Sequence, residues 1–81
     1  MADWTAVSTE VLEELAGARQ RFGPMVSAHE GYAVLLEEMD ELWEEVRGNK
    51  RDMITYKAAM RAEAVQVAAM ALAFIVEVCD T

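Results

Sequence analysis

Glu38, Glu41 and Glu45 recur at i, i+3 and i+7 within HEGYAVLLEEMDELWEEV, residues 29–46. On a helix that spacing gathers three carboxylates into a sector of about 60°. Further along, Glu63 opens the apolar run AVQVAAMALAFIV (64–76), with Gln66 three residues later on the same side. A carboxylate at the mouth of an apolar helix has to be compensated, because an unpaired buried charge is costly. Arg61 or Arg51 supplies that as an ion pair, or a cation shared with Glu38 and Glu41 does. Hard oxygen ligands at this density favour Mg²⁺ or Mn²⁺. Acids at i, i+3 also line ordinary solvated helix faces, so spacing alone leaves both explanations open. Glu37 and Glu44 point well away from the apolar arc and read as solvated.

The elements that must position these side chains read as all-α. Only one proline and four glycines interrupt 81 residues. The first amphipathic segment runs from about Trp4 to Arg21 and stops at FGP, where Gly23 offers a left-handed cap and Pro24 cannot continue a helix. Ser27 and Glu30 in SAHE form a capping box that starts a second helix over 28–47. GNKRD closes it, with Gly48 and Asn49 suited to a reversed backbone and Asp52 to capping a third helix over 53–78. So short a connection predicts an antiparallel hairpin of helices two and three. Leu35, Leu36, Met39, Leu42, Trp43, Val46 and Tyr32 share one apolar arc of helix two, which places Trp43 and Tyr32 in the core. The third helix is apolar nearly all round, the pattern of a helix covered on every side. A domain this small buries only about 60% of its unfolded surface, so oligomerisation is expected to complete the bundle.

Fifteen acids against seven bases give a formal charge of −8. That argues against binding nucleic acid, which needs a basic face to displace counterions. A phosphorylated ligand remains compatible if metal cations stand between the two sets of negative charge. The thirteen-residue apolar run is shorter than a membrane crossing. With one cysteine, Cys79, and no signal-peptide pattern at the start, the chain reads as cytoplasmic.

EEMDE (37–41) resembles the EExxE motif of the MazG-like, all-α nucleoside triphosphate pyrophosphohydrolases. EAVQ (63–66) falls where that family has ExxD on the following helix. The similarity extends over FGPMVSAHEGYAVLLEEMDELWEEV and RAEAVQVAAMALAFI and is strongest to small stand-alone members. It implies that residues 1–81 form one MazG-like helical domain completed as a homodimer or homotetramer. It also implies Mg²⁺-dependent conversion of a nucleoside triphosphate to monophosphate and pyrophosphate, as nucleotide house-cleaning. Glu38, Glu41 and Glu63 become metal ligands, and Glu37 an auxiliary ligand or an acceptor for a metal-bound water. Gln66 stands where the family has an aspartate, so the site loses one negative charge.

Lys50, Arg51, Lys57 and Arg61, clustered around the turn, are candidates for contacts to the outer phosphates, and so is His29 at the start of helix two; local ion pairing and surface exposure are the alternatives. A rival function is a catalytically degenerate MazG-like oligomer that acts as a binding or interaction protein.

Overall fold

The computed structural model describes residues 3–48 and 52–81. Asn49, Lys50 and Arg51 lie outside the described residues, as do Met1 and Ala2. Three α-helices follow one another: α1 (Trp4–Arg21), α2 (Ala28–Gly48) and α3 (Met53–Phe74), the last running into a π-helical turn, Ile75–Cys79. No strand occurs among the described residues.

Local chemistry sets most of these boundaries. Asp3 caps α1 by accepting from the Thr5 and Ala6 amides, at 2.8 and 3.4 Å. Asp52 caps α3 through the Thr55 amide at 3.0 Å. At the start of α2 the Glu30 amide donates to Ser27 Oγ at 3.1 Å. The Glu30 carboxylate reaches back past Ser27 to the Val26 amide at 3.4 Å, one residue further than a capping box would place it.

The glycine caps expected at Gly23 and Gly48 do not form. No described glycine has a positive φ. Instead α1 ends as Phe22 leaves in extended backbone (φ −134°, ψ 149°), and Gly48 is the last residue of α2, one beyond the expected Arg47. The extended path has a partner, because it carries the Met25 amide to the Glu77 carboxylate at 3.0 Å. Glu77 also accepts from two nitrogens of Arg19. The π turn that presents Glu77 therefore replaces the last turn of the α-helix expected to reach Val78.

Contacts between α2 and α3 run in opposite chain order. Near the turn the Tyr56 hydroxyl donates to the Val46 carbonyl at 2.6 Å; at the far end Phe74 lies over Gly31. The core combines Val11 and Ala18 of α1 with Met25 and with Ala69, Met70 and Ala73 of α3. Ala69 and Ala73 have no exposed surface, and such small side chains let neighbouring helices approach closely.

Much apolar surface stays uncovered. Leu35, Leu42 and Val46 of the α2 arc are half-buried, but Tyr32 and Trp43, expected in the core, are 63% and 58% exposed. The arc is wider than the face α3 can cover. Tyr32, Leu36, Met39 and Trp43 follow a 4-3-4 spacing and form one exposed apolar stripe along α2. The accessible surface of 5954 Å² exceeds the roughly 4,900 Å² expected of a compact chain of this mass. Met53–Cys79, 27 residues, is long and apolar enough by length and composition to cross a membrane.

The close approach at Gly31 is a test of this packing. A Cβ there would lie 2.6 Å from Phe74 Cδ2 and 3.1 Å from Met25 Sδ. Gly31→Val is expected to lower the thermal midpoint by about 4 °C or more; an unchanged or higher midpoint in a calorimetric scan would contradict the packing.

Candidate metal centre and adjoining cleft

The antiparallel register of α2 against α3 sets Glu63 opposite the second turn of the acidic stretch. Glu38, Glu41 and Glu63 each present an oxygen such that all three lie within 4.8 Å of one another. Octahedral ligands at about 2.1 Å from an Mg²⁺ ion stand roughly 3–4 Å apart, so modest side-chain adjustment suits the set to one ion. Glu38 and Glu63 are half-buried and Glu41 is exposed, which leaves the cluster open on one side.

Its electrostatics are unfavourable in the absence of a cation. Burial pushes the Glu38 carboxyl above its ordinary range, reinforced by Glu41, Glu63 and Glu37. Burial likewise raises Glu63, with Glu41 and Glu45 adding to it. Glu38 Oε2 is shielded from solvent and has no hydrogen-bond donor. Either a proton or a cation relieves such a group. The donor set, three carboxylates with an orphaned oxygen among them, fits a hard divalent ion.

Gln66 lies one turn beyond Glu63 on α3. Its amide nitrogen donates to Glu14 Oε1 of α1 at 2.6 Å, which fixes the amide orientation and leaves its carbonyl oxygen as the remaining polar atom. Gln66 and Glu38 border a cleft of about 350 Å³, together with Glu37 and the C-terminal end of α1.

The proposed phosphate contacts are dispersed. Arg61 forms a two-pronged pair with Glu10 of α1, both bonds at 2.7 Å, which holds the Glu10 carboxyl below its ordinary range. Arg61 is therefore not the partner of Glu63. Lys57 and His29 are exposed, and neither they nor Arg61 lines the cleft. Lys50 and Arg51 lie outside the described residues.

Helix α1 supplies residues that the sequence reading did not single out: Glu14, which holds Gln66, and Arg19 and Arg21, which border the cleft. Glu14, Ala18 and Arg21 fall at i, i+4 and i+7, so one stripe of α1 faces this region. That stripe was the available signal.

Comparison with known protein families, with curated proteins and with solved structures gives no match to any of them.

A raised carboxyl pKa means that the folded state holds its proton more tightly than the unfolded chain. The associated stability is present below the ordinary carboxylate range and is lost as pH rises through the raised value. At neutral pH without divalent ions, Glu38 therefore works against folding, with Glu37 and Glu41 of α2 and Glu63 of α3 as its charged neighbours. Glu38→Gln is expected to raise the thermal midpoint at pH 7 in the presence of a chelator, and the gain should shrink towards pH 4. A lower midpoint at pH 7 would contradict the electrostatic account.

Proposed function

We propose that this chain is a MazG-like, Mg²⁺-dependent nucleoside triphosphate pyrophosphohydrolase, acting as a cytoplasmic homo-oligomer that clears unwanted nucleotides. The observation that carries this reading is the convergence of Glu38, Glu41 and Glu63 from two helices around an orphaned carboxylate oxygen. The resemblance of EEMDE and EAVQ to the MazG-like motifs supports the same reading, since it implies metal ligation by these three glutamates.

In this reading Glu38, Glu41 and Glu63 hold the ion, with the Gln66 carbonyl oxygen as a neutral fourth donor whose orientation Glu14 fixes. A bound Mg²⁺ (or Mn²⁺) would supply charge neutralisation of the triphosphate, polarisation of a phosphoryl oxygen and a lowered pKa for a water. Glu37, beside Glu38 and bordering the same cleft, orients the attacking water and takes its proton. The water oxygen bonds to phosphorus, the bridging P–O bond breaks, and the products are the monophosphate and pyrophosphate. Without the ion, the acids around the cleft would repel the substrate.

The partner is a second copy of the chain. The Tyr32–Leu36–Met39–Trp43 seam and the excess surface both ask for cover, and a self-complementary two-fold contact supplies it. The long apolar Met53–Cys79 segment belongs to that oligomer core, not to a membrane. Glu63 on it meets Glu41, Gln66 meets Glu14, and Glu77 meets Arg19, so its polar groups are engaged with α1 and α2.

Gln66 favours one second reading. An amide in place of an aspartate removes a charge from the centre, as in a relative that binds nucleotide or a protein partner without turning it over.

Purified protein assayed with a panel of nucleoside triphosphates is expected to release pyrophosphate only when Mg²⁺ or Mn²⁺ is present. Glu38→Gln and Glu63→Gln should abolish release with helicity unchanged; full activity in both variants would remove the enzymatic reading. Sedimentation velocity should give a dimer or tetramer that Trp43→Glu dissociates, and a monomeric wild type would contradict the seam.

A further inference from the structure

The end of α1 does more than cover the hairpin. Its last turn and the extended residues after it wall the 350 Å³ cleft on the side facing Glu37 and Glu38, with Val34 and Met70 among the apolar lining. Small-molecule sites start at about 300 Å³ and combine an apolar lining with a few polar groups.

Two arginines border this cleft, and they differ in commitment. Arg19 is bound on two nitrogens by Glu77. The Arg21 side chain is 58% exposed, and the carboxylate of Glu14 stands 3.7 Å from it, a separation at which an exposed pair contributes little. Its guanidinium stands over the Phe22 ring, 5.9 Å from the ring centre, a cation–π contact that is weak at an exposed site. Phe22 itself is 66% exposed at the cleft wall, so an aromatic ring and the loosely held cation stacked over it border the cleft together.

The remaining charged groups of the cleft are Glu30, Glu37 and Glu38. Three acids would repel a bare anion, and a neutral ring would leave Arg21 unused. A ligand that matches both halves carries a planar ring and phosphates that arrive with their own divalent cation.

We propose that this cleft seats the nucleoside end of a metal-bound nucleotide, with Phe22 stacking on the base and Arg21 holding an oxygen of the phosphate nearest the sugar. The assignment rests on the reading of Glu38, Glu41 and Glu63 as the metal centre. It moves phosphate recognition from the bases around the α2–α3 turn to the C-terminal end of α1. Stacking on one aromatic ring is sequence-tolerant, because every base has a π-face, so the cleft admits more than one base.

Amide spectra of ¹⁵N-labelled protein test this directly. Mg²⁺ alone should shift signals at Glu38, Glu41 and Glu63. Adding the α,β-imido analogues of the common ribo- and deoxyribonucleoside triphosphates should then shift Phe22, Gly23 and Met25 saturably. Arg21→Ala and Phe22→Ala, both at exposed positions, should each weaken that nucleotide binding about tenfold while leaving the Mg²⁺ response unchanged. Nucleotide shifts confined to the carboxylates, or undiminished affinity in both variants, would overturn the cleft assignment and leave the metal centre standing. No response to Mg²⁺ or to any nucleotide would overturn both.

Discussion

The close approach of α3 to α2 is the constraint on which the rest depends. Gly31 gives Phe74 room where a side chain would collide, while Ala69 and Ala73 bury completely. With the Tyr56–Val46 hydrogen bond near the other end, the register of one helix against the other is fixed. Glu63 then has to stand across from Glu38 and Glu41. The like charges meet because apolar packing outweighs their repulsion, not because they attract.

Burial and neighbouring acids both favour the protonated forms of Glu38 and Glu63, and a divalent ion in place of the protons would relieve that strain. Helix α1 completes the surroundings through long-range pairs: Arg61 with Glu10, Gln66 with Glu14, and Arg19 with Glu77. The two arginines neutralise Glu77 and Glu10, and Glu14 orients the Gln66 amide. Among the described bases, Arg19, Arg47 and Arg61 are each held by a carboxylate outside the Glu38, Glu41 and Glu63 cluster.

Much of the architecture was legible because it rests on local signals. The start of α1 at Trp4, the caps at Ser27 and Asp52, and the acidic sector of α2 each depend on residues within one or two turns. The misses share a different cause. Gly23 invited a left-handed cap, but the chain leaves α1 extended so that the Met25 amide reaches Glu77, which is far away in sequence. The π turn answers to the same partner, so no wheel drawn over residues 53–78 could show it. Tyr32 and Trp43 carry a core pattern without a core in the single chain, since periodicity reports that a face is apolar and not whether the chain itself covers it. The convergence of Glu38 and Glu41 with Glu63 was legible as the need to compensate a carboxylate at the mouth of an apolar helix, while the cleft was not, because its second wall comes from α1.

The central claim is that these carboxylates share one divalent ion. A crystal grown with Mn²⁺ and measured for anomalous scattering tests it most directly. The account predicts a peak within ligand-bond distance of oxygens from Glu38, Glu41 and Glu63 together. A peak elsewhere, or three carboxylates turned apart around empty solvent, would contradict it.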